Sequence, residues 1–208
     1  MEKKKGLIKS FFSDRVKLHK AVTFASMLFN FAWSTIKIII GIVSKTYFFC
    51  VNGIGTLLTG VAKKTYLDNF ENEDENLRNK KALVMNALLL LIGATYIVYM
   101  GRLFKFPSNT PDYGLFASIA IATVSFAELI LSVGNLIKAL KSKNYMLYSL
   151  RGINLACSGF SVVLTQVVLL ALCKIDGSFY NAISGTIFGC FAVMIAVSAL
   201  IRIPKPKR

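Results

Sequence analysis

Six apolar runs, at residues 19–43, 46–61, 82–99, 113–140, 147–173 and 179–203, occupy most of this 208-residue chain. Each is at or near the ~20 residues that an α-helix needs to cross a bilayer. Lipid offers no partner to a backbone N–H or C=O, so such a run must close its hydrogen bonds within itself, as a helix does. The second run is short and glycine-rich, and it is the weakest signal of the six. An apolar share of 55% and a mean hydropathy of +0.59 exceed soluble-domain usage, which is about 45–50% apolar. The expected fold is all-α: a polytopic membrane protein with six transmembrane helices. Residues 1–18 form a basic cytoplasmic arm, 19–203 the transmembrane domain and 204–208 a short cytoplasmic tail.

The net charge of +15 could suggest nucleic acid, but its placement excludes that class. With both termini inside, the cytoplasmic segments carry 20 Lys/Arg and the outer segments four: Lys45, Arg102, Lys105 and Lys174. That asymmetry is the positive-inside pattern, and the expected location is the plasma membrane. A nucleic-acid binder would need a basic face on a soluble domain, and none is predicted. The partners expected are the lipid bilayer and a second membrane chain, identical or different. The arm, with Phe11 and Phe12 among lysines, suits anionic headgroups. It is too long and too charged for a signal peptide.

Two connections are long. Residues 63–81 read as a solvated loop with partial helix and an acidic centre, Glu71, Glu73, Asp74 and Glu75, which lacks the ligand spacing of a calcium loop. Residues 101–112, with Pro107 and Pro111, read as an outer turn. Cys50, Cys157, Cys173 and Cys190 all fall in apolar runs without metal-ligand spacing, so they read as packing residues.

Polar groups inside the runs carry the functional signal, because an acid at a helix centre costs roughly 2.5–3.5 kcal/mol. Glu128, within SFAELILSVGN, is the sharpest candidate: it must be protonated, paired or in a watery cavity. Lys37 is expected to snorkel to the outer interface. Asn86, Asn135, Asn154 and Gln166 read as interhelical hydrogen-bonding residues, and GTIFG at Gly185–Gly189 as a close helix contact. One histidine, His19, stands at a membrane boundary. Without a buried base or a metal-protease, phosphate-loop or paired-carboxylate motif, no enzyme and no cofactor is expected.

The chain also echoes itself. NGIGTLLTG at residues 52–60 and RGINLACSG at 151–159 align with Gly53 on Gly152, Ile54 on Ile153, Thr59 on Ser158 and Gly60 on Gly159.

The order of IKIIIGIVSKTYFF (36–49), KKALVMNALLLLIGATYIVYMGRL (80–103) and the basic loop KSKN resembles the transmembrane domain of the cation diffusion facilitator, or cation efflux, family. In that family helices two and five carry related motifs that together build a tetrahedral zinc site, and the echo would be their remnant. The resemblance places the ligand positions on Gly55, Thr59, Asn154 and Ser158, and the earlier acids on Asn52 and Arg151. All four ligands are replaced, so no metal site is implied. Instead a polar site of Glu128, Asn52 and Asn154 is expected within the membrane. The family's cytoplasmic C-terminal domain has no counterpart among these 208 residues. The function expected from the resemblance is transport of a non-zinc cation or other small solute. The alternative is a non-transporting partner or regulator, in which the old site is packed. A water-accessible cavity joining Glu128 to the interval between spans two and five separates the two.

Overall fold

The computed structural model describes residues 2–69, 74–106, 112–141 and 144–204, with side chains from residue 17 onward. Six helices follow in order: α1 (Glu2–Val43), α2 (Tyr47–Asn69), α3 (Glu75–Arg102), α4 (Leu115–Leu140), α5 (Tyr145–Leu172) and α6 (Ser178–Arg202). The described residues contain no strand. Five helices are long and apolar enough to cross a membrane: 17–43 of α1, then α3, α4, α5 and α6. The sixth, α2, falls short of that measure because its C-terminal part is polar, with Lys63, Lys64 and Asp68.

The stretch 63–81 is helical at both ends, more so than the partial helix expected of it. Helix α2 runs on to Asn69 and α3 starts at Glu75, where the Asp74 carboxylate accepts from the N–H groups of Asn76 (2.9 Å) and Leu77 (3.2 Å). That side chain satisfies helix-start donors that have no intrahelical acceptor. Glu71 and Glu73 lie outside the described residues, as do Pro107, Pro111, Ser142, Lys143 and the last four residues. The side chains of Phe11 and Phe12 do too.

Helices α2 and α5 form the centre. Helix α1 packs on α2, α4 on α5, and the pair α3 and α6 covers the remaining side of α5. Glycines set these approaches, because lipid exerts no hydrophobic drive between helices and close backbone packing must supply the attraction. A Cβ on Gly189 would lie 2.6 Å from Ile97 Cγ1 of α3, and one on Gly185 would strike Met100. The GTIFG segment is therefore the α6 face that meets α3. The echoed glycines also have a packing reason. Gly53 and Gly60 seat Ile38 and Phe31 of α1, while Gly152 and Gly159 seat Ile195 and Phe188 of α6. Each central helix thus offers two glycines, two turns apart, to one neighbour.

Hydrogen bonds tie the other side of α5. Asn86 donates to Ser149 Oγ at 2.6 Å, joining α3 to α5, and Gln166 donates to Asn181 Oδ1 at 3.2 Å, joining α5 to α6. Both residues join helices, the role expected of them. Before α6, the Ser178 N–H donates to Asp176 at 3.0 Å, which holds that carboxyl below its usual range.

Candidate functional site: a polar cavity inside the helix bundle

Four helices each carry a polar stripe at steps of three and four residues, the spacing of one helical face. On α1 it is His19, Thr23, Ser26, Asn30, Ser34 and Lys37; on α2, Asn52, Thr56, Thr59 and Lys63. Helix α4 has Ser125, Glu128, Ser132 and Asn135, and α5 has Arg151, Asn154, Ser158, Ser161 and Thr165. The fold turns these stripes toward each other. Between them lies a cavity of ≈ 440 Å³, within the ~300–1,000 Å³ usual for small-molecule sites.

Its walls come from His19 to Asn30 on α1, Thr56 to Lys63 on α2, Glu128 to Asn135 on α4 and Leu150 to Ser161 on α5. On α1 that is roughly 16 Å of axis, about half of a ~30 Å hydrocarbon core. Every wall segment lies toward the helix ends that lead to the N-terminal arm, to the 70–74 connection and to the 141–144 connection. Deeper, Lys37 closes the cavity. It is 2% exposed, and its Nζ donates to Asn52 Oδ1 (2.7 Å), Thr56 Oγ1 (3.1 Å) and Ser161 Oγ (3.4 Å), with the Trp33 ring 5.6 Å away. The expected snorkelling of Lys37 is thus overturned, because α2 and α5 offer three acceptors on the buried side. At the far end the Tyr113 hydroxyl donates to Ser44 Oγ (3.2 Å) and Thr46 Oγ1 (3.3 Å) of the α1–α2 turn.

The residues singled out in the sequence fall as follows. Glu128, Thr59, Asn154 and Ser158 all line this one cavity, so the space between α2 and α5 connects to the acid on α4. Gly55 does not line it: it is buried against Phe160 and Cys157, and its carbonyl accepts from Cys157 Sγ at 3.2 Å. Asn52 is buried behind the cavity as the main acceptor for Lys37. Asn154, expected in the polar site, lines the cavity, and Asn135, read as an interhelical hydrogen-bonding residue, lines it too. The Asn154 side-chain oxygen is buried without a partner. Among the described residues no three of His, Cys, Asp and Glu assemble into a metal-binding group.

Two charged cavity residues carried no functional expectation as basic groups. Lys63, counted in the sequence as part of a solvated connection, is 8% exposed. Its Nζ donates to Ser26 Oγ at 2.6 Å and, with the Asn30 amide turned to satisfy both its ends, to that side chain's oxygen at 2.9 Å. Arg151, counted as a positive-inside residue, also lines the cavity and is half-buried. The signal available was the stripe itself, since Lys63 continues Thr56 and Thr59 while Arg151 begins the run through Asn154 and Ser158. Glu128 faces Ser161 and lies within electrostatic reach of Lys37 and Lys63, without a direct ion pair to either.

Compared with known proteins, the chain matches no family model, no curated protein and no solved structure.

Proposed function

We propose that this chain is a six-span membrane transporter whose helices are arranged like the transmembrane domain of cation diffusion facilitators, and that it carries a small polar solute other than zinc. Both termini face the cytoplasm of a plasma-membrane protein, so the cavity is an inward-facing vestibule. Helix α2 is the sixth span, its polar face of Asn52, Thr56, Thr59 and Lys63 buried against its neighbours. One observation carries the reading: a cavity lined by hydroxyls, amides and charges stands inside the bundle where a merely structural membrane protein would pack apolar side chains. Buried polar atoms without partners are costly, so a lining of this kind is retained for something that enters it. Relation to the efflux family is supported by α2 and α5 meeting at the centre with Thr59, Asn154 and Ser158 on one cavity wall.

Two measurements test it. In a background whose four cysteines are alanine, Ser132→Cys should react with a small water-soluble thiol reagent. Sealed vesicles should then show flux of a small solute that Glu128→Gln alters, with any pH-coupled component abolished and folding intact. A labelled cavity with no flux of any ion or solute tried would favour the partner or regulator reading. An unreactive Ser132→Cys would mean the space is closed, and the proposal would fail.

A further inference from the structure

The charges around the cavity do not balance. Lys63 and Arg151 line it and Lys37 closes its deep end, yet the described residues place one carboxylate, Glu128, among them. Arg151 makes no hydrogen bond or ion pair among the described residues. Lys63 is held by a hydroxyl and an amide rather than an acid. Buried charge is tolerated where an opposite charge and hydrogen bonds compensate it. Here the compensation is missing from the chain itself.

We infer that the cavity binds an oxyanion, a phosphate or carboxylate group, held by Arg151 and Lys63. Resting on the reading of the cavity as a solute site, this names the solute's chemical class. The guanidinium supplies a planar fork that meets two oxygens of such a group at once, and the Lys63 ammonium supplies a point charge. A metal cation would face the opposite field, with Lys37, Lys63 and Arg151 opposing its entry and Glu128 alone attracting it. The volume exceeds a bare oxyanion, so the group belongs to a larger molecule or enters with water. Helices α1 and α4 both wall the cavity, yet their backbones do not come close to each other among the described residues. The slot between them is edged by exposed Val22, Phe29 and Leu131. An anion bearing an acyl tail can enter there from the bilayer, and a free anion from the aqueous mouth.

Full-length protein in nanodiscs of neutral lipid is titrated with inorganic phosphate in one arm and with phosphatidylglycerol in the other, reading thermal stability and lipid retention by native mass spectrometry. Stabilisation in the first arm marks a soluble oxyanion, and selective retention in the second an anionic lipid head; either supports the inference. Affinity should fall about tenfold or more in Arg151→Gln and in Lys63→Met, since a hydrogen bond to a charged group is worth about 1.5–3 kcal/mol. Arg151→Lys should recover part of it, which guards against a variant that misfolds. Lys64→Gln removes the same charge from an exposed neighbour and should bind as wild type. Equal binding by all variants, loss in Lys64→Gln as large as in Lys63→Met, or stabilisation by cations alone would overturn the inference. Reactive Ser132→Cys with neither anion bound would overturn the oxyanion and leave the cavity reading standing.

Discussion

Replacing Lys37 with Met keeps the stem and removes the ammonium that joins α1 to α2 and α5. The loss comprises bonds at 2.7 Å to Asn52, 3.1 Å to Thr56 and 3.4 Å to Ser161. The groups left behind differ in what they forfeit. Thr56 keeps its hydrogen bond to the Asn52 carbonyl at 3.0 Å, and the Ser161 contact is the longest of the three. The Asn52 side chain loses its only bond, since its Nδ2 is already buried without a partner. An orphaned buried acceptor costs about 1–3 kcal/mol. Three interhelical hydrogen bonds at the membrane average of about 0.6 kcal/mol each give a similar total, about 2 kcal/mol. Lys37→Met should therefore destabilise by about 1–3 kcal/mol. Adding Asn52→Leu removes the orphan and should return the double variant to within about 1 kcal/mol of wild type, because replacing both partners by apolar groups is nearly neutral. Reversible denaturation in micelles measures all three. A single variant as stable as wild type would refute the net value given to the Lys37 hydrogen bonds, and additive losses in the double variant would refute the pairing with Asn52.

Further tests address topology, packing and the efflux-family register. Reporter fusions at both termini should report the cytoplasm, and one within residues 101–112 the exterior, since Lys/Arg divide 20 to four between the two sides; the reverse result would invert the vestibule. Gly189→Ala forces a Cβ against Ile97 and should cost about 1–3 kcal/mol, whereas Gly134→Ala meets nothing within 4 Å and should be neutral or slightly stabilising in the same denaturation assay. Introducing Gly55→Asp, Thr59→Asp, Asn154→His and Ser158→Asp together should create zinc binding far tighter than a set shifted one residue along each helix, because hydroxyl, amide and glycine are replaced by good donors. Equal zinc binding by the two sets would remove the family register. Because Gly55 sits against Phe160 rather than in the cavity, the Thr59, Asn154 and Ser158 positions should dominate that affinity.

The helices themselves were legible in the linear chain. The run at 113–140 became α4 at Leu115–Leu140 and the run at 147–173 became α5 at Tyr145–Leu172, because the bilayer's demand for internal backbone hydrogen bonds acts on a segment by itself. Three helices outrun their apolar runs: α1 reaches back to Glu2, α2 continues to Asn69 and α3 starts at Glu75, because a helix persists where its polar residues face neighbours or water, which hydropathy counts against a span. Glu128 was legible as well, since an acid amid apolar neighbours carries a cost that no local arrangement removes.

Sequence by itself therefore determined where helices lie and which side chains are too polar for lipid. Tertiary structure alone decided where those side chains point. A lysine near a helix end satisfies the positive-inside pattern whether it faces water, as exposed Lys64 does, or a cavity, as Lys63 does; the difference is a rotation of about 100° about the helix axis. Only the packing of α1 against α2 and of α4 against α5 settles that rotation for all four helices at once. Lys37 shows the same physics: its stem is long enough to reach the interface or the Asn52 side chain, and three acceptors on neighbouring helices outweigh the water it could otherwise have sought.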